Sequence, residues 1–342
     1  MKVLIYLFFS LIFICKSKKK ADVYFTKEIS SSKMLEIFKK LNVKLNGKIG
    51  LKVHSGEKNG PYFLRPSFLK GIYDYTKGTF LECNTAYESP RSNTTTHKEL
   101  LIENGWFEDG MKLDLMDENP DEDVSLPIDN YQKIEQNFVG SHLFNYDSCV
   151  VLSHFKGHGS GGYGAALKQL SIGFASQKGK TYIHTAGVET DWKKMREKKA
   201  SQFDFTTSMG DAASSIVKYF KNKGGIVYIN VLVNISLYCD CAGTMAPEPR
   251  IGDLGIMAST DPVAIDKACL DLLKQTHYNG TQDLIDQIQR LEGENTIITA
   301  EKLGVGTTSY NLIDLETGEI INSSSKAIFC FELLAILLLL LL

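Results

Sequence analysis

Apolar and polar positions along this chain switch repeatedly between a strand period and a helix period. Lys27–Leu45 carries Met34, Ile37, Phe38 and Leu41 at helical spacing, behind Ser30–Ser32, whose hydroxyls suit an N-cap. Ile49–Val53 reads as a short strand, and Pro66 opens a helix to about Thr76. Thr79–Cys83 reads as a strand, Thr94–Glu103 as a helix closed by Asn104-Gly105, and Met111–Met116 as a third strand. Tyr146–Leu152 is a continuous apolar run, the mark of a buried strand. Past Gly164 the pattern turns helical through Leu167, Leu170, Ile172 and Phe174. Asp211–Tyr219 reads as a helix and Ile226–Val233 as a strongly apolar strand, with another short strand at Ile251–Ala258. Asp261 then caps a helix that has Pro262 at its first position. Leu284–Leu291 and Ala300–Leu303 are helical, and Tyr310–Leu315 is a closing strand. The series predicts an α/β fold, a mixed, mostly parallel sheet flanked by helices on both faces. Two polar stretches interrupt it. Asp117–Asp123 reads as a solvated acidic loop, and Glu189–Phe205 as an exposed insertion or lid with Lys193–Lys199 as a charged helical piece.

The two ends depart from this pattern. Val3–Cys15 is apolar between Lys2 and the Lys16–Lys20 cluster, which suits a signal peptide or signal anchor over residues 1–20. Ala327–Leu342 is apolar apart from Glu332 and follows the small polar run Asn322–Ser325, the outline of an anchor or anchor signal over 321–342. Residues 21–320 then form the folded part, as one domain or as two lobes of about 21–145 and 146–320. These ends predict a secretory-pathway protein held at a membrane and facing the lumen or the cell exterior. Asn93, Asn234, Asn279 and Asn322 begin glycan-acceptor triplets.

Composition adds little: 342 residues, 43% hydrophobic and 23% charged, are ordinary for a globular chain. The net charge of −2 gives no reason to expect nucleic acid as a partner. Of seven cysteines, Cys15 and Cys330 lie in the end segments, and the odd remainder is not a disulfide framework. Cys149 and Cys269 sit in apolar surroundings and read as buried.

Candidate chemistry gathers in Ser153–Lys180. Gly159-Ser-Gly161-Gly162-Tyr-Gly164 is a literal GxGxxG, but His154–His158 separates it from the strand and the region beyond is basic. That is a weak dinucleotide fingerprint. Free backbone N–H groups in such a turn nevertheless suit a ligand, so Gly159, Gly161, Gly162 and Gly164 are candidate cofactor-facing positions, with Arg65 and Asn84 near other strand ends. His154 and His158 together with Cys239-Asp240-Cys241 offer a mixed nitrogen and sulfur set suited to zinc or iron. Two cysteines one residue apart need a turn to reach one ion. Glu57 is a candidate base and Lys156 and Lys168 are candidate catalytic or anion-binding amines; His54, Glu57 and Arg65 form one polar group, with Asn84 and Arg91 near a parallel strand end.

The motifs KVHSGEKNGPYFLRP, LECNTAYESPRSNTTTH, VVLSHFKGHGSGGYGAALKQLSIGFASQKGK, CDC and DLGIMASTDPVAIDKACLDL together resemble the domain of unknown function 362 family, from about Val23 to Leu315. The resemblance implies a shared scaffold and matched positions at His154, Lys156, His158, Gly162, Gly164, Lys168, Cys239, Asp240, Cys241 and Asp261. Many relatives carry a ferredoxin-type cysteine run for a four-iron cluster. No such run occurs between His184 and Asp211 here, so that cluster is not implied. The expected activity is that of a metal- or redox-associated enzyme acting on a small anionic molecule. The alternative is a non-catalytic, membrane-anchored ligand-binding protein on the same scaffold.

Overall fold

A computed structural model describes residues 20–324. The apolar ends read above lie outside the described residues, and among those that are described no helix is long and apolar enough to cross a membrane. The strands are β1 (Ala21–Thr26), β2 (Ile49–Lys52), β3 (Thr79–Glu82), β4 (Leu113–Leu115), β5 (Val124–Pro127), β6 (Gln136–Val139), β7 (Ser148–His154), β8 (Lys156–His158), β9 (Gly162–Gly164), β10 (Gly225–Leu232), β11 (Gly255–Ser259), β12 (Tyr310–Asp314) and β13 (Ile320–Ser324). Nine of them form one sheet in the order β13-β12-β1-β11-β10-β7-β2-β3-β4. From β4 through β10 every pairing is parallel. The sheet turns antiparallel at β11 and again at the edge strand β13. It is an α/β fold with a mixed, mostly parallel sheet. Strands from both halves of the chain share this sheet.

The centre of the sheet explains the continuous apolar runs. Every residue of β7 is buried, as a parallel strand covered on both faces requires. Alternate residues of that strand enter different cores: Val150 and Leu152 pack on one face, Cys149 and Val151 on the other. The first face is covered by α1 (Ser31–Lys40), α2 (Pro66–Thr76) and α3 (Thr94–Glu103). Ser30 accepts from Lys33 N and Asn93 from Thr95 N, so the first and third of these begin at side-chain caps. The opposite face is covered by α4 (Ala166–Lys168), α6 (Gln202–Lys221) and α7 (Pro262–Lys274), with α5 (Gln177–His184) beside them. Asp261 caps α7 through Val263 N and Ala264 N, with Pro262 in the first turn as the sequence predicts. Two further helices, α8 (Thr281–Arg290) and α9 (Glu294–Lys302), complete this side.

Several elements differ from the reading of the sequence. The helix past Gly164 is one turn long and continues as a π-helical turn over Gln169–Gly173. The long helix begins at Gln202, nine residues before Asp211, so the polar insertion ends earlier than expected. The GxGxxG run is not a phosphate loop at a helix start. Lys156–His158 and Gly162–Gly164 pair as an antiparallel hairpin.

Candidate functional site

Successive βα units step in one direction from β2 through β3 to β4, and in the other from β7 to β10. The crevice at the carboxyl ends of β2 and β7 is therefore a topological switch point, where open α/β sheets gather ligands. Here it is a cavity of about 330 Å³ lined by His54, Glu82, Arg91, His158, Lys168, Lys180, His184, Cys239 and Cys241, among others.

Its floor is a chain of buried charges. Lys52 Nζ lies 3.0 Å from Glu82 Oε1, and Arg91 Nη2 donates to Glu82 Oε2 at 3.0 Å. Arg91 Nη1 reaches Glu57 Oε1 at 3.1 Å, and Tyr87 OH donates to the same oxygen at 2.6 Å. Burial alone would raise the Glu82 carboxyl, but Lys52 and Arg91 outweigh it and hold the group well below the usual carboxylate range. His97 donates through Nδ1 to Asn84 Oδ1 and accepts Arg91 Nε through Nε2. Burial and the Arg91 charge hold that ring neutral, its pKa lowered to about 3.

A second set of charges surrounds Asp240. His154 Nδ1 lies 2.9 Å from Asp240 Oδ1, and Lys156 Nζ lies 2.8 Å from Asp240 Oδ2. His154 Nε2 sits 2.6 Å from Val233 O. Both ring nitrogens of His154 thus face acceptors. His154 and Asp240, expected among the metal ligands, are occupied with each other, with Lys156 and with the backbone. They are braces for the turn that carries the cysteines.

Cys239 and Cys241 flank Asp240 in that turn and are joined as a disulfide. A ring nitrogen of His158 and the two sulfurs all lie within 4.8 Å of one another, so the set able to hold a metal narrows to His158, Cys239 and Cys241. His158 Nδ1 accepts Gly161 N at 2.9 Å and Ser160 N at 3.2 Å, leaving Nε2 as the nitrogen free of backbone partners. Burial first, and then the Lys168 charge, keep this ring neutral. His184 is stacked on Phe205 at 4.4 Å and is likewise lowered, to about 3, by burial and by Lys168.

Lys168 faces the cavity from the end of α4. Burial lowers its amine to about 7, with Lys156 pushing the same way against a weaker pull from Asp240. Lys180 also lines the cavity and donates to Ala175 O at 2.5 Å.

Other candidates fall elsewhere. Arg65 donates to Gly60 O and Pro61 O and stacks over Phe63, bracing its own loop away from the cavity. Asn84 is spent on Thr94, Asp117 O and His97. Of the hairpin glycines, only Gly159 lines the cavity. Gly162 has φ +79°, and a Cβ there would stand 3.1 Å from Gly293 Cα. A Cβ on Gly161 would meet Met209, and one on Gly164 would meet the Lys156 and Lys168 stems. Close packing and a positive φ account for Gly162, whereas at Gly161 and Gly164 a Cβ would make only ordinary contacts. Glu57 keeps its place beside the cavity, but Arg91 and Tyr87 already hold one of its oxygens. Glu82, Lys180, Tyr87 and His184 were not legible as site residues. The one local signal is Glu82 itself, an acidic residue closing an otherwise apolar strand.

The profile described as a domain of unknown function, DUF362, matches residues 49–271, more than half of the chain and all of the crevice as far as α7. The chain belongs to the DUF362 family. No curated protein matches it. Among solved structures, this DUF362 protein is similar to a Thermotoga maritima protein at 15% identity and TM-score 0.44, covering 74% of this chain and 61% of that one. It is also similar to the lactate racemase apoprotein from Thermoanaerobacterium thermosaccharolyticum at 9% identity and TM-score 0.38, covering 62% and 51%. The chain spans less than two thirds of the length of either.

Proposed function

We propose that this DUF362 protein is an enzyme acting on a small anionic molecule in the switch-point crevice, with His158, Cys239 and Cys241 as a metal-holding, redox-responsive centre. One observation carries the reading: a nitrogen and two sulfurs converge within 4.8 Å on the wall of a cavity that also presents Lys168, Lys180 and Arg91. The donor set fits zinc or ferrous iron, both of which accept mixed thiolate and imidazole ligands. Thiolates on one tetrahedral ion sit about 3.8 Å apart given metal–sulfur bonds of about 2.3 Å. The disulfide must therefore be reduced first, by two electrons, before Cys239 and Cys241 can ligate. The two thiols formed by that reduction must also lose their protons, so metal uptake releases protons and strengthens as pH rises. A bound ion would supply Lewis acidity or electron transfer beside the anion site.

The anion preference has its own support. The cations Lys52, Arg91, Lys156 and Lys180 stand against the carboxylates Glu57, Glu82 and Asp240, with His54, His158 and His184 held neutral by burial. Anaerobic reduction followed by loading with Zn(II) or Fe(II) should leave about one ion per chain after dialysis, and Cys239→Ser or Cys241→Ser should abolish it. Less than about a tenth of an equivalent in the reduced wild type overturns the reading. We further propose that the apolar end segments direct the chain into the secretory pathway and hold it at a membrane. Such a compartment suits a disulfide. Protease protection of the full chain in microsomes tests it.

A further inference from the structure

Lysines around the crevice are nearly all paired. Lys52 has Glu82, Lys156 has Asp240 and Lys180 has Ala175 O. Lys168 is different: among the described residues its Nζ has no hydrogen-bond acceptor and no ion-pair partner, although the residue is half-buried and lines the cavity.

Its placement is built from beneath. The Asp266 carboxylate, fully buried, accepts Ala166 N at 3.0 Å, Leu167 N at 2.9 Å and Asn230 Nδ2 at 2.9 Å, and Tyr163 OH at 3.3 Å. These bonds fix the turn that presents Lys168. Gly164 lies against the aliphatic stem, where a Cβ would come within 3.5 Å of Lys168 Cδ. The amine is thus held on a rigid mount, in a cation-rich wall, and the carboxylate that pulls on it, Asp240, is already held by His154 and Lys156. An unpaired amine among cations is a poor salt-bridge donor and a good nucleophile.

We propose that Lys168 Nζ forms an imine with the carbonyl carbon of a small carbonyl-bearing anion of the 2-oxo acid class. The inference rests on the reading of the crevice as an anion site. The Nζ lone pair attacks the carbonyl carbon, the C=O pair moves to oxygen, and a proton from nitrogen makes the carbinolamine. The C–O bond then breaks. The oxygen leaves as water with the second nitrogen proton, and the nitrogen pair closes the C=N bond. The neutral ring of His184, which shares the cavity wall, is placed to relay these protons. The substrate carboxylate faces Lys180 and, at the cavity mouth, Arg196.

The test is reductive trapping on the full-length protein with pyruvate or glyoxylate and sodium cyanoborohydride at neutral pH, read by intact mass and peptide mapping. Lys168 should carry the adduct at least about tenfold faster than any exposed lysine, since its amine is far more often unprotonated. The adduct should vanish in Lys168→Arg. Oxalate, an anion without a ketone or aldehyde carbon, should slow it. The mapping is done on wild type, so a poorly folded variant does not decide the result. Adducts spread over exposed lysines overturn the proposal. If oxalate binds the crevice by calorimetry yet Lys168 stays unmodified, the imine fails and the anion site stands. If oxalate does not bind and no adduct forms, both fail.

Discussion

The carboxylate of Asp240 lies 2.9 Å from His154 Nδ1, tying the end of the central strand to a turn 86 residues later that carries both sulfurs. Lys156 completes the set from the other oxygen at 2.8 Å. Asp240→Asn removes the carboxylate that Lys156 and His154 share. Breaking a buried pair from one side costs about 3–5 kcal/mol. The urea midpoint of this variant should fall accordingly, and its metal uptake after reduction should weaken. An unchanged midpoint would show that solvent reaches these groups freely.

Glu82 gives a pH dependence with a definite sign. Its folded value lies below its unfolded value because Lys52 and Arg91 outweigh burial. Between the two values the unfolded chain binds more protons, so the stability this group contributes is complete above the unfolded value. It is lost as pH falls through the folded one. Glu82→Gln should therefore lower stability most at neutral pH and flatten its decline under acid, as followed by thermal melts at stepped pH.

Lys168 shifts in the opposite sense for a cation. Burial and Lys156 lower it to about 7, against a pull from Asp240, with Lys180 and Arg91 adding to the downward push and His158 and His184 facing it as neutral rings. From this group the unfolded chain holds a proton that the folded chain has lost above about 7, so stability rises as pH increases from there. Acylation of Lys168 by a small amine-reactive acyl donor such as acetic anhydride should follow a midpoint near 7, while exposed lysines continue to rise toward 10. A Lys168 midpoint matching the surface lysines contradicts the burial argument.

Gly162→Ala tests whether the hairpin glycines serve packing. At φ +79°, with Gly293 Cα and Ile288 Cα at 3.1 and 3.2 Å from the new Cβ, the methyl is both strained and crowded. A loss of about 1–3 kcal/mol is expected. Gly159→Ala, where no atom lies within 4 Å of the new Cβ, should be close to neutral.

Much of this crevice could be seen in the sequence because its parts are local. The run around His158 and the Cys239-Asp240-Cys241 turn each stand out by composition, and they do meet at one cavity wall. The strong apolar strands β7 and β10 also needed nothing but their own residues. What stayed hidden depended on partners far along the chain. His154 looks like a ligand until Asp240 and Val233 O occupy both nitrogens. Gly161, Gly162 and Gly164 read as a cofactor-facing turn before a helix until β8 pairs with β9. Strand β1 was missed because its six residues follow a lysine cluster and alternate only partly. The pairs that hold it belong to β11 and β12.

That last pairing also bears on how the molecule is made. Ala21–Phe25 is zipped to Tyr310–Asp314, and Thr26 Oγ1 donates to Glu316 at 2.7 Å across 290 positions. During synthesis the first strand must wait for almost the whole chain to emerge before it acquires a neighbour on that side. Loop closure over such a span is slow, so a nascent chain exposes a bare strand edge for most of its translation, the very feature to which chaperones and aggregation both respond.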